Sequence, residues 1–201
     1  MRKIICVGRQ FGSGGHYLAE KLAEQLKIPY YDKRIFDEAV NTGVLPSEIL
    51  KKAEEKAAKP LLQPIYFEGD KKEYYGMNAN DILFNIQKQL ILSYAEKSDC
   101  VIVGRCADYI LKTCTDYAVK SIFITASMED RIRSTMRIDA LDEKKAAAKV
   151  RQFDKTRSAY YNYYTSCDWG KPSDYDFCIS TSRNEEKMIL DVLCRIYERM
   201  D

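Results

Sequence analysis

The apolar run IICV at residues 4–7 passes directly into GRQFGSGGHY at 8–17, and a clean helical pattern follows. A continuous apolar strand has to be covered on both faces. The glycines then turn the chain straight into a helix, because Gly12, Gly14 and Gly15 can take backbone angles that a side chain forbids. Such a strand–turn–helix unit presents consecutive backbone N–H groups at a helix N-terminus, where the helix dipole favours an anion. The unit belongs in a layered α/β sheet and marks one place on it for a phosphate.

Further runs support that sheet. KIICVG (3–8), IPYYD (28–32), VIVG (101–104), SIFIT (121–125) and YDFCIS (175–180) read as five strands, apolar throughout rather than alternating. Helices fall between them. Leu18, Leu22 and Leu26 form one stripe over 15–26, with Ala19 and Ala23 beside it. Ile82, Ile86, Leu90 and Tyr94 form another over 81–97, with Asn80 or Asp81 as its cap. Ser127 to Asp130 has capping-box form and opens a basic helix. Ser182 to Glu185 repeats the form before a last helix burying Ile189, Leu193 and Ile196. The alternation predicts one α/β domain over residues 1–201, a doubly wound, five-stranded parallel sheet. Residues 33–80 and 137–174 are too long for simple crossovers and read as flaps at the carboxyl edge of the sheet.

Composition removes several function classes. A net charge of +2 gives no reason to invoke a nucleic acid polymer or an acidic membrane surface. No apolar run reaches the ~18 residues of a membrane span, and the N-terminus has no signal-peptide form. The seven cysteines include no C-x-x-C pair and there is one histidine, which argues against a zinc site or a disulfide framework. The expected location is a reducing cytoplasm.

Three groups of residues could carry chemistry. The Gly-rich loop reads as a phosphate cradle or as a bare tight turn. A dinucleotide fold is a third possibility, since Gly12-x-Gly14 follows a strand and Asp32 ends the next; its third glycine, however, would fall at Tyr17. Arg105 follows the strand VIVG and so projects at its carboxyl end, where a guanidinium can grip a phosphate or pair with Asp108. Arg151, Asp154 and Arg157 recur every three residues on one helix face, with Arg131, Arg133 and Arg137 upstream. They read as a basic flap over transferring phosphate, or as a solvated ion-paired face. The aromatic run YYNYYTSCDW (160–169) reads as packing or as a base-stacking surface.

In this order the elements resemble the cytidylate kinase-like branch of the P-loop nucleoside monophosphate kinases. GRQFGSGG resembles its variant phosphate loop, and IPYYDKRIFDEAV the segment opening its monophosphate flap. VIVGRCADYIL with SIFITASMEDRIR, and RQFDKTRSAYYNYY with YDFCISTS, resemble the strands and lid that follow. The resemblance implies a P-loop kinase core with a monophosphate-binding flap at 33–80 and a helical lid at 137–174. It implies ATP with Mg²⁺, and CMP or dCMP as phosphoryl acceptor. By the same resemblance Gly12, Ser13, Gly14 and Gly15 hold the donor phosphates, and His16, at the helix start beside them, is read as a further donor to phosphate. Asp32, Lys33, Arg105 and Asp108 bind the acceptor. Arg151, Asp154 and Arg157 belong to the lid that serves the transfer, and Arg9 joins them as the permanently charged residue next to the loop. The chain departs from the family at Gly15, where the phosphate-loop lysine belongs, and at Tyr17, where a hydroxyl residue belongs. Arg9 and His16 are the nearest cations to fill the gap; no residue is assigned to the metal. A non-catalytic nucleotide sensor and a kinase for another small acceptor are the alternatives. The implied partners are small-molecule nucleotides, with no oligomeric state implied.

Overall fold

In the computed structural model, which describes residues 1–49, 74 and 76–201, five parallel strands lie in the order β2-β3-β1-β4-β5. They are β1 (Arg2–Arg9), β2 (Tyr30–Tyr31), β3 (Cys100–Val103), β4 (Tyr117–Thr125) and β5 (Phe177–Ser180). The strand leading into the glycines is thus the central one, flanked by β3 and β4 along its length. Its side chains alternate between two cores. Ile4 and Cys6 face Ile91, Ile110, Leu111 and Tyr161, whereas Ile5 and Val7 face Leu18, Leu22, Ile189 and Leu193. Each fully buried Ile or Leu contributes about 1.5–3 kcal/mol, so both faces of β1 are firmly held.

The helices are α1 (Gly15–Leu26), α2 (Lys33–Asn41), α3 (Ala79–Lys97), α4 (Ala107–Leu111), α5 (Met128–Asp139), α6 (Glu143–Thr165) and α7 (Glu186–Glu198). Helices α1 and α5 begin where the sequence pattern puts them, and Ser127 accepts from Asp130 N–H as a capping box requires. Two caps differ. Asn78, not Asn80 or Asp81, caps α3 by accepting from the Asp81 N–H. Helix α7 begins after Glu185 without a side-chain cap, because Ser182 Oγ is taken by Ser127 N–H, 2.8 Å away. Strand β5 is an edge, so Phe177 and Cys178 are exposed rather than buried.

Of the stretch 33–80, α2 packs against the first turns of α3, through Phe36 and Ala39 on one side and Ile82, Leu83 and Ile86 on the other. Residues 50–73 and 75, most of the expected flap, and the side chain of Lys33 lie outside the described residues. The stretch 137–174 is dominated by one helix, the 23-residue α6. Its first half sets Ala146, Ala147 and Val150 inward, and its second half sends Tyr161 into the core under β1. Among the described residues no helix is long and apolar enough to cross a membrane.

Candidate functional site

The Gly-rich loop is built from both sides. Thr181 Oγ1 donates to Ser13 O at 2.9 Å, and Ala126 N–H donates to the Gln10 side-chain oxygen at 3.2 Å. Ser13, 3 % exposed, turns its hydroxyl inward to Gln10 O and accepts from Gly15 N–H. Gly12 and Gly14 both stand at φ +76°, the left-handed region that glycine tolerates. Around Gly14 no atom lies within 4 Å of a built Cβ, so the space on that side of the turn is open. The N–H groups of Gly12, Gly14, His16 and Tyr17 have no hydrogen-bond partner among the described residues. Free donors at a helix N-terminus next to an open turn are what a phosphate cradle needs.

Gly15 differs. A Cβ there would meet Arg9 Cβ at 2.7 Å and Ile124 Cβ at 2.9 Å. The position that would carry the loop lysine has no room for any side chain. Arg9 leaves this point and runs along the head of the sheet. Its Nη2 donates to Asp32 at 3.2 Å, and its Nη1 lies over Gly104. The guanidinium therefore reaches the ends of β2 and β3, not the start of α1. Burial lowers its pKa, while Asp32 opposes the shift. His16, also a candidate cation, turns from the loop toward β2. Its Nδ1 lies 2.7 Å from Asp32 Oδ2 and 2.8 Å from Tyr30 Oη.

Beyond the carboxyl ends of β1 and β3 opens a cavity of about 750 Å³. Arg9, Asp32, Arg105, Asp108 and Arg157 line it together, with Phe153, Tyr160, Tyr161, Trp169 and Tyr175 as aromatic walls. Arg105 owes its direction to the backbone: Gly104, Arg105 and Cys106 are left-handed in succession, at φ 73°, 57° and 57°. Two non-glycine residues held there cost about 1–2 kcal/mol each, strain of the kind found at functional sites. The Arg105 guanidinium also lies over the Phe36 ring at 6.0 Å. Asp108 accepts from Tyr161 Oη at 2.7 Å, and burial raises its carboxyl pKa against that hydrogen bond. Arg157 donates to Arg9 O at 3.0 Å; burial, then the neighbouring Arg9, pull its pKa down to about 9. An anion entering the cavity would relieve that repulsion.

Not every residue singled out from the sequence meets there. Arg151 is exposed and does not line the cavity. Asp154 turns to the loop instead, accepting from Phe11 N–H at 2.8 Å and from Arg131. Arg131, given no separate role by sequence, is buried between α5, α6 and the loop. The aromatic run divides: Tyr164 stacks on Phe84 at 4.1 Å and donates to Asp81, which is packing, while Tyr160, Tyr161 and Trp169 reach the cavity.

No group of three or more His, Cys, Asp or Glu side chains that could hold a metal occurs among the described residues. The Ser13 hydroxyl is engaged in the loop, and Asp32 and Asp154 each have both oxygens committed. Among the described residues this donor set does not build a Mg²⁺ site from protein ligands alone.

The strand order, the glycine turn ending the central strand and the helix that starts from it define a P-loop kinase fold. A family model described as the cytidylate kinase-like family matches residues 4–183, and the chain belongs to that family. An uncharacterised protein from Eubacterium ventriosum is 28% identical, with a TM-score of 0.73 over 98% of this chain and 99% of that one. Shikimate kinase from Bacteroides thetaiotaomicron aligns at 12% identity and TM-score 0.53, over 98% of this chain and 99% of its own. A Thermus thermophilus protein aligns at 13% and 0.54, covering 100% of this chain and 99% of its own. The last two bear on the fold alone. No curated protein matches the chain.

Proposed function

We propose that the protein transfers the γ-phosphoryl group of ATP to a small anionic acceptor, a nucleoside monophosphate of the cytidine type. The observation that carries this reading is the convergence of Arg9, Arg105 and Arg157 on one aromatic-walled cavity whose lining includes Gly8 and Arg9, where β1 leads into the glycine loop. Phosphoryl transfer needs little covalent chemistry from the protein; it needs positioned cations and excluded water. In this reading the free N–H groups of Gly12, Gly14, His16 and Tyr17 cradle the donor phosphates. Arg105 and Arg9 hold the acceptor's phosphate, with Asp32 orienting Arg9. Arg157 faces the transferring group, and the aromatic walls take the base. Asp108 and Tyr161 form a polar edge for it. Any divalent cation would arrive on the triphosphate, which usually carries most of its ligands as phosphate oxygens and water. The site fits within a single domain, with α6 as the lid element.

A second reading rests on the closed position at Gly15 and the lack of a protein-built metal site among the described residues: a nucleotide sensor that binds ATP without turnover. A coupled ADP-release assay across nucleoside monophosphates and phosphorylated or hydroxylated metabolites separates the two. Turnover that is highest with CMP or dCMP supports the kinase as stated. Turnover only with another acceptor moves the substrate class, and ATP binding without turnover on any of them establishes the sensor.

A further inference from the structure

We propose that Arg131 and Asp154 are positioning residues that grip the peptide groups of Phe11 and so set the phosphate loop and Arg157 together. This rests on the reading that the loop receives nucleotide phosphate. The Phe11 N–H donates to Asp154 Oδ1 at 2.8 Å, and the Phe11 carbonyl accepts from Arg131 Nη1 at 3.4 Å. Arg131 and Asp154 are themselves ion-paired through Asp154 Oδ2. One ion pair therefore holds both polar groups of a single loop residue, the donor from α6 and the acceptor from α5.

Four further contacts belong to the same grip. The Phe11 ring stacks on Phe153 of α6, centroids 4.5 Å apart at 25°. Lys149 and Arg157 flank that ring at 5.6 Å each. The next residue, Gly12, lies so close to α5 that a Cβ would stand 2.7 Å from Arg131 O. The loop is thus pressed against α5 and drawn to α6 just before its free donors begin.

Stability alone is a poor reason for this pair. The Arg131 side chain is 6% and that of Asp154 18% exposed. At such burial the desolvation cost offsets most of the Coulomb gain, and an apolar pair of similar size holds two helices at least as well. An apolar pair could not bind an N–H and a C=O. What the ion pair adds is direction. With its N–H turned to Asp154, Phe11 contributes no donor to the phosphate, and the cradle starts at Gly12. Arg157 follows Asp154 by three residues and lies near the same helix face, so fixing one places the other over the cavity.

The test compares the full-length protein with Asp154→Asn and with the double variant Arg131→Met/Asp154→Leu. Thermal unfolding, ATP affinity by calorimetry and amide hydrogen exchange at Phe11 are measured. The expected result is a double variant that unfolds within a few degrees of the parent, binds ATP at least 10-fold more weakly and loses at least 100-fold of Phe11 protection. Asp154→Asn keeps an acceptor for the Phe11 N–H and should recover part of both. Unchanged ATP affinity despite lost Phe11 protection would overturn the proposal and leave the pair as packing between α5 and α6. If the double variant does not fold, Asp154→Asn decides on the same two readouts: parental values in both overturn the proposal. If the parent binds no ATP, the nucleotide reading fails by itself; the grip is then judged by whether Asp154→Asn changes Phe11 exchange.

Discussion

Replacing Gly15 with alanine should destabilise the protein, although alanine is the better helix former. Gly15 is the first residue of α1 and has helical backbone angles, so left-handed strain plays no part. On propensity alone the change would gain up to about 1 kcal/mol. The new methyl would meet Arg9 Cβ at 2.7 Å, Ile124 Cβ at 2.9 Å and Ile124 Cγ2 at 3.2 Å. Two of these are Cβ atoms fixed to β1 and β4, which cannot swing aside, so the strands or the helix must move. Overpacking of this kind costs about 1–3 kcal/mol. Setting its upper end against the propensity gain leaves a loss of about 2 kcal/mol, or roughly 4–8 °C in Tm for a domain of this size. Scanning calorimetry measures it directly. A Gly15→Ala variant with unchanged or raised Tm would show that the loop yields easily and that the missing lysine is not explained by lack of space. The same geometry predicts that Gly15→Lys gives no tighter ATP binding.

Gly14→Val should fold with a lowered Tm but lose ATP binding by calorimetry, since it puts a β-branched residue at φ +76° and fills the open side of the turn. Arg157→Ala should lower turnover by ~10²-fold or more while changing ATP affinity much less, the scale of losing one oriented donor to a transition state; normal turnover on the true acceptor would return Arg157 to a structural role. Tyr161→Phe removes the hydrogen bond that favours ionised Asp108, whose pKa burial already raises. The bond is stronger while Asp108 is charged than when it is protonated and accepts only as a neutral carboxyl, so the stability lost, about 1.5–3 kcal/mol with the charged form, should be larger at pH 7 than at pH 4. A pH-independent difference in Tm between parent and variant would contradict this.

Much of the fold was legible because its signal is local. Leu18, Leu22 and the capping box at Ser127 each act within one or two turns of chain, and α1 and α5 start where those patterns place them. Strand β4 runs longer than its apolar run because Tyr117 to Lys120 pair with β1 while only partly buried. The cap of α7 is not legible in its local sequence, because the Ser182 hydroxyl accepts from Ser127 N–H, 55 residues away. The candidate site was half legible for the same reason. Glycines after a strand and an arginine after another announce a carboxyl edge, and Arg9, Asp32, Arg105, Asp108 and Arg157 do meet there. The spacing of Arg151, Asp154 and Arg157 gave the shared helix face but not which way each turns. Direction depends on Phe11 and Arg131, which are distant in sequence.

The unbroken length of α6 has a mechanical consequence. Tyr161 anchors one end under the sheet, so the helix is a lever with its pivot near the cavity. At 1.5 Å per residue, Arg157 lies about 6 Å from that pivot and Glu143 about 27 Å, so a tilt of about 10° moves the arginine by ~1 Å and the tip by ~5 Å. Because Ala146 and Val150 are buried and α6 packs on α5, the tip can move only with α5 beside it, while the guanidinium near the fulcrum stays almost in register with the cavity.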